Sequence, residues 1–248
     1  MREFRRKAHR DVAKILASLD AEFLLDAHCY FAGGTQVSLA LDEFRESRDI
    51  DFICGDRNGL RKLRETVSEQ SLGRVAKDDL QLAREVRADR DGIRTFIAIA
   101  DTRIKFELIL EARIDVHGSL DEALGVPALN LDSMVAEKFL ANADRGLDAS
   151  THSRDLIDLC FIAAAHGGNA LLPGLGIAEA AYGEAVRRYL ELALKRFADD
   201  KRLLSACARA LDIQDGKTLN KGIAILKKLN RQNHGGESRI AGRAPRRK

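Results

Sequence analysis

The four cysteines of this 248-residue chain, Cys29, Cys54, Cys160 and Cys207, form no Cys-x-x-Cys pair and lie far from any paired histidines. That spacing offers neither a structural zinc site nor a disulfide framework, and reduced thiols in the cytoplasm are its simplest account. Long apolar runs are lacking too: none approaches the roughly 20 residues that a membrane span needs. The N-terminal stretch is basic, with Arg2, Arg5, Arg6, Lys7 and Arg10, but Phe4, Ala8, Val12, Ile15, Leu16 and Leu19 recur at helical spacing among the charges. This pattern predicts an amphipathic helix and lacks the apolar core of a signal peptide. Nothing forces a repeat or coiled-coil reading, and a hydrophobic content of 45% suits a chain that buries one large core or two small ones.

Charge is present but uneven. Lys217 to Lys248 holds ten Lys or Arg against the single acid Glu237, a charge of +9, whereas the whole chain is +3. Residues 232–248 carry Gly, Arg and Pro without apolar periodicity and are expected to form a disordered basic tail. Such a tail either attracts nucleic acid through counterion release or keeps the chain soluble.

The pattern predicts an α/β first part. His28 to Ala32 is a short apolar run ending at Gly33-Gly34, a strand that stops in a tight turn. Thr35 to Leu41 reads as a helix with Thr35 at or near its N-cap. Asp49 to Cys54 alternates as a strand, and Asn58 to Glu69 as a helix. Ile93 to Ala100 and Arg103 to Leu110 flank a hairpin turn at Asp101-Thr102. Past a break at Gly125 to Asn130, which includes Pro127, helices dominate: Leu131 to Asp144, Ser153 to His166, Ile177 to Ala198, Lys201 to Leu211 and Thr218 to Arg231. The expected organisation is a mixed-sheet domain over residues 1–126, a helical domain over 127–231, and the tail.

Strand residues two apart share a face, so Asp49 and Asp51 project together while Ile50 and Phe52 turn into a core. Two carboxylates so placed repel unless a cation lies between them, and Mg²⁺ suits one or two carboxylates completed by water and phosphate oxygens. The bland alternative is an exposed strand with two solvated aspartates. Gly33 and Gly34 weigh against it, because residues without Cβ let backbone N–H groups approach an anion at the start of a helix. Together the two motifs point to a nucleoside triphosphate.

These residues resemble the nucleotidyltransferase superfamily that includes DNA polymerase β, in which a Gly-[Gly/Ser] turn and a helix precede Asp-hydrophobic-Asp/Glu on the next strand. A closer similarity is to the AbiEii/AbiGii toxin family, with its Gly-Gly-Thr and Arg-x-Ser-x-Asp-Ile-Asp-Phe motifs. Arg45, Ser47, Asp49, Ile50, Asp51 and Phe52 stand at the latter's positions. Two helical motifs of that family, Lys-x-x-Ala and Arg-Asp-x-x-Asp-Leu, are matched by Lys138 to Ala141 and Arg154 to Leu159. Periodicity independently sets Lys138 on an apolar stripe with Leu131, Met134, Val135 and Ala141, and gathers Asp155, Asp158, Leu159 and Ile162 on one face. Inward charges need partners or a ligand. A plain Lys138 to Asp155 or Asp158 salt bridge, or an Arg154 to Asp158 surface pair, is the structural alternative.

The resemblance implies transfer of a nucleoside monophosphate from an NTP to an acceptor hydroxyl, in a mixed-sheet nucleotidyltransferase fold with a helical domain. Mg²⁺ or Mn²⁺ would be held by Asp49, Asp51 and a third carboxylate on a neighbouring strand, for which Glu107 is best placed and Glu111 and Asp101 are weaker. Glu107 would otherwise serve as general base. Gly33, Gly34, Thr35 and Ser47 would hold phosphate oxygens, Lys138 with Arg45 would neutralise the leaving pyrophosphate, and Asp155 or Asp158 would orient that lysine or the acceptor. Implied partners are a tRNA or other RNA acceptor and a cognate antitoxin, with no membrane partner. A small-molecule nucleotidyltransferase of the aminoglycoside type, or a nonenzymatic nucleotide- or RNA-binding module, shares part of the motif set.

Overall fold

A computed structural model describes residues 3–232. Seven strands form one sheet: β1 (Cys29–Ala32), β2 (Ile50–Cys54), β3 (Leu82–Ala88), β4 (Gly92–Ile99), β5 (Thr102–Leu110), β6 (Gly118–Asp121) and β7 (Val126–Leu129). The helices of the first half are α1 (Lys7–Ala17), α2 (Ala21–Asp26), α3 (Gly33–Ala40) and α4 (Arg57–Arg64). Those of the second are α5 (Leu131–Arg145), α6 (Arg154–His166), α7 (Leu172–Tyr182), α8 (Ala185–Asp199), α9 (Lys201–Ala210) and α10 (Gly216–Arg231).

The strand order is β3-β4-β5-β2-β1-β7-β6. β2 runs antiparallel to β1 and parallel to β5, so it lies in the interior of the sheet with a ladder on either side. Its burial alternates, with Ile50, Phe52 and Cys54 inside and Asp51 and Ile53 partly exposed. Phe52 meets Phe31 and Phe106 from the flanking strands, so the apolar face of β2 sits at the centre of the sheet core. The opposite face is left for Asp51. Register then puts Asp51 opposite Ala32 on β1 and Glu107 on β5.

Two large apolar clusters are present. One joins α1, α2, α4 and the sheet; the other joins α5, α6, α7, α8 and α10. Val37 of α3 and Phe44 of the following loop belong to the helical cluster, and Phe44 stacks on Phe161 of α6 with ring centroids 3.9 Å apart. The segment between β1 and β2 is therefore anchored in the helical half, and its polar residues are carried there with it.

Several local expectations are corrected. Thr35 is near the N-cap rather than at it: α3 begins at Gly33 after Ala32, and the buried Thr35 hydroxyl lies 2.9 Å from the Ser47 hydroxyl instead of capping. The Asn58 to Glu69 helix is shorter, ending at Arg64. The supposed single helix at Ile177 to Ala198 is two, α7 and α8, divided at Gly183 with φ +60°. Gly125 to Asn130, read as a break, contains β7, which pairs with β1 and hides its four residues. β6 and α2 were not foreseen, whereas β3 falls in the stretch from about Leu80 to Val116 whose pattern reads as strand-like. Cys29 and Cys54, distant in sequence, face each other on β1 and β2 with Sγ atoms 2.8 Å apart, and burial pushes the Cys29 thiol up. The basic tail, apart from Gln232, lies outside the described residues.

Candidate active site

A cavity of about 290 Å³ opens where the polar face of β2 meets α5 and α6. Gly33, Gly34, Arg45, Ser47, Asp49 and Asp51 line one side, and Lys138, Arg145 and Arg154 the other. Glu107 of β5 also borders it. The structure thus brings most of the predicted residues to one place. Thr35, Asp155 and Asp158 stand behind that lining, buried.

The two glycines have separate reasons. Gly33 has φ +78°, and a Cβ there would stand 2.6 Å from Asp51 Oδ2. A side chain at Gly34 would overlap the guanidinium of Arg45. Their lack of side chains makes room first for a carboxylate and a guanidinium of this chain.

Asp49 and Asp51 form no ion pair with a described residue. Burial pushes the Asp51 carboxyl above its ordinary range; Lys105 opposes that shift, while Asp49 and Glu107 add to it. A divalent cation fits this pair, because Lys105 and Lys138 offset the burial of Asp51 only in part and neither carboxylate has an ion pair among the described residues. The third position is not ready-made. Glu107 is paired with Lys105 and lies 3.7 Å from Arg94, and no group of three His, Cys, Asp or Glu among the described residues is arranged to hold a metal ion.

Behind the cavity runs a buried chain of charges. Arg45 Nε donates to Asp158 Oδ1 at 2.7 Å and Nη2 to Oδ2 at 2.9 Å, a two-pronged pair between residues 113 apart in sequence. Lys138 Nζ lies 2.8 Å from Asp158 and 3.1 Å from Asp155. Arg145 closes the chain on Asp155 through Nε at 2.7 Å and Nη2 at 3.1 Å. Burial acts against the charge on Lys138, but Asp158 and Asp155 outweigh it and raise its pKa. Asp155, despite its burial, is held well below the usual carboxylate range by Lys138 and Arg145. The helix-pinning salt bridge is therefore present at Lys138, while Asp158 pairs with Arg45 and Lys138 rather than with Arg154.

Sequence reasoning missed Arg145, whose side chain is 42% exposed and reaches the cavity. It lies seven residues after Lys138, two turns along the same helix face, and that spacing was a usable signal. It also missed Lys105, which shares a strand face with Glu107, and a cluster at the far side of the cavity. There Arg113 reaches Glu111 at 2.7 Å and Glu137 at 3.1 Å. Burial and the neighbouring Glu111 push Glu137 up to about 8.

The profile of the AbiEii nucleotidyl transferase toxin family, of type IV toxin–antitoxin systems, matches residues 14–220. No curated protein matches the sequence. A crystal structure of a provisionally named nucleotidyltransferase from H. pylori superposes with a TM-score of 0.53 at 16% identity, over 92% of this chain and 95% of that one. At that identity the likeness speaks for the fold alone.

Proposed function

The chain belongs to the AbiEii nucleotidyl transferase toxin family, and from that premise we propose that it transfers a nucleoside monophosphate from an NTP to a hydroxyl of an RNA acceptor, tRNA foremost. Membership carries nucleotidyl transfer within a toxin–antitoxin system; the metal, the acceptor, the roles of individual residues and a cytoplasmic site of action are our reading. The observation that carries it is the convergence, in one cavity, of a helix start at Gly33-Gly34, the carboxylates of Asp49 and Asp51, which have no ion pair among the described residues, and the cations Lys138 and Arg145. The lining has six Lys or Arg against five Asp or Glu, close to neutral with a single positive excess. An acidic cleft, which would favour an aminoglycoside-type acceptor, is not what these residues make.

Asp49 and Asp51 would hold Mg²⁺ or Mn²⁺, with Glu107 the candidate third ligand, and the ion supplies charge neutralisation on the triphosphate. Backbone N–H groups from Gly33 to Thr35, with Ser47, would donate to phosphate oxygens. The acceptor oxygen bonds to the α-phosphorus as its proton passes to Glu107, and the bond to the bridging oxygen breaks, releasing pyrophosphate. Either role for Glu107, proton acceptor or third metal ligand, requires Lys105 to release its carboxylate. Arg145, Arg154 and Lys138, with Arg45 behind them, would offset charge on the leaving group. Asp155 and Asp158 would act through Lys138, fixing its ammonium.

The test is incubation with each labelled NTP, Mg²⁺ and total tRNA, following label into RNA. Transfer is expected from the parent protein, with loss in EDTA and in Asp51→Ala and Lys138→Ala. Equal transfer by either variant would remove its assignment.

A further inference from the structure

Residues 3–13, which include most of α1, precede the stretch matched by the family profile, yet one of them touches the motif loop directly. His9 is 0% exposed. Its Nδ1 lies 2.8 Å from Glu43 Oε1, and the backbone N–H of Ser47 donates to its Nε2 at 3.2 Å. These two contacts determine the tautomer: a ring nitrogen that accepts carries no proton, so the proton sits on Nδ1 and is donated to Glu43. Burial, moreover, lowers the histidine pKa, in keeping with a neutral ring.

Glu43 is itself secured. Its carboxylate accepts from the backbone N–H of Arg5 at 2.8 Å and of Arg6 at 2.9 Å, and from Arg5 Nε at 3.3 Å. Asp42 and Glu43 both have positive φ, +58° and +55°, a turn that non-glycine residues rarely adopt without outside support. The support comes from the N-terminal segment. Ser47 in turn bonds Thr35 in the first turn of α3, stands two residues after Arg45 and precedes Asp49 by two.

We propose that His9 is a positioning residue for the nucleotide site: through Glu43 on one nitrogen and the Ser47 amide on the other, it sets the main chain that carries Ser47 and Asp49 beside the glycine turn. The proposal rests on the nucleotide-binding reading above. His9 touches no substrate; it acts through Ser47. Its acceptor nitrogen is the critical feature, because a side chain with only a donor would leave the partly buried Ser47 N–H without this partner.

Two near-isosteres separate this role from packing. His9→Gln can keep an acceptor near the Nε2 position, whereas His9→Asn can keep the donor to Glu43 but does not reach Ser47. Binding of each Mg–NTP, as its non-hydrolysable α,β-methylene analogue, is measured beside thermal stability. We expect His9→Asn to bind about tenfold more weakly, the scale of one lost hydrogen bond, and His9→Gln to stay within about twofold, with similar melting temperatures for both. Equal weakening in both variants, or none in either, overturns the proposal. Nitrogen NMR of the unaltered protein is independent of variant folding and of any nucleotide: the proton belongs on His9 Nδ1 with the Ser47 amide bonded to Nε2, and a proton on Nε2 overturns it. If the parent binds no nucleotide while this NMR signature holds, the functional reading fails and the His9–Ser47 contact stands.

Discussion

Gly34 and Arg45 compete for one space: a Cβ on Gly34 would overlap Arg45 Nη2 and stand 3.2 Å from Cζ, so the Nη2 end of the guanidinium occupies the place of a glycine side chain on its way to Asp158. The glycine motif and the motif arginine are one packing unit, tied to the helical half.

Gly34→Ala should therefore push Arg45 off Asp158. Overpacking of a tight site costs about 1–3 kcal/mol, read by urea denaturation, and label transfer should fall with it. Wild-type stability in Gly34→Ala would mean the guanidinium moves aside freely.

Asp158→Ala removes the shared partner of Arg45 and Lys138, leaving buried cations short of a counter-charge. Breaking such a buried pair costs about 3–5 kcal/mol. Asp158→Asn should recover part of this by keeping hydrogen-bond acceptance toward Arg45. A denaturation midpoint for Asp158→Ala equal to that of the parent would contradict the arrangement.

Glu137 gives a pH signature. Its folded pKa of about 8 lies above the ordinary 4.5, so between those values the folded state holds a proton that the unfolded state has lost. Stability from this group is complete below the unfolded value and declines as pH rises toward 8. Melting temperatures of the parent and Glu137→Gln, compared from pH 5 to 9, should diverge in favour of the variant up to about pH 8. A constant gap across that range would refute the shift.

Divalent metal binding should be visible without turnover. Mg²⁺ should raise the melting temperature of the parent by mass action on the folded state, and Asp51→Asn should lose most of that response. An equal Mg²⁺-dependent rise in both proteins would place the ion elsewhere.

Much of the site could be read locally. Asp49 and Asp51 share a face because strand side chains alternate, and the partly exposed Asp51 between buried Ile50 and Phe52 follows that rule. Lys138, Asp155 and Asp158 were legible as inward charges from helical spacing, and all three are buried. What failed was also local: Gly183 inside an apolar helical pattern was passed over, and Pro127 outweighed the short β7 around it, whose burial comes from β1.

The sequence by itself determined which residues face inward and which types gather near the glycine turn, since periods of two and 3.6 are properties of neighbouring residues. Only the tertiary structure decided the partners. Arg45 finds Asp158 across 113 positions, Asp51 finds Glu107 through parallel register, and His9 finds Ser47 from outside the family's matched stretch. Local periodicity carries no information about which distant face will be packed against it; burial makes that choice, because a charge taken out of water must meet its partner or forfeit stability.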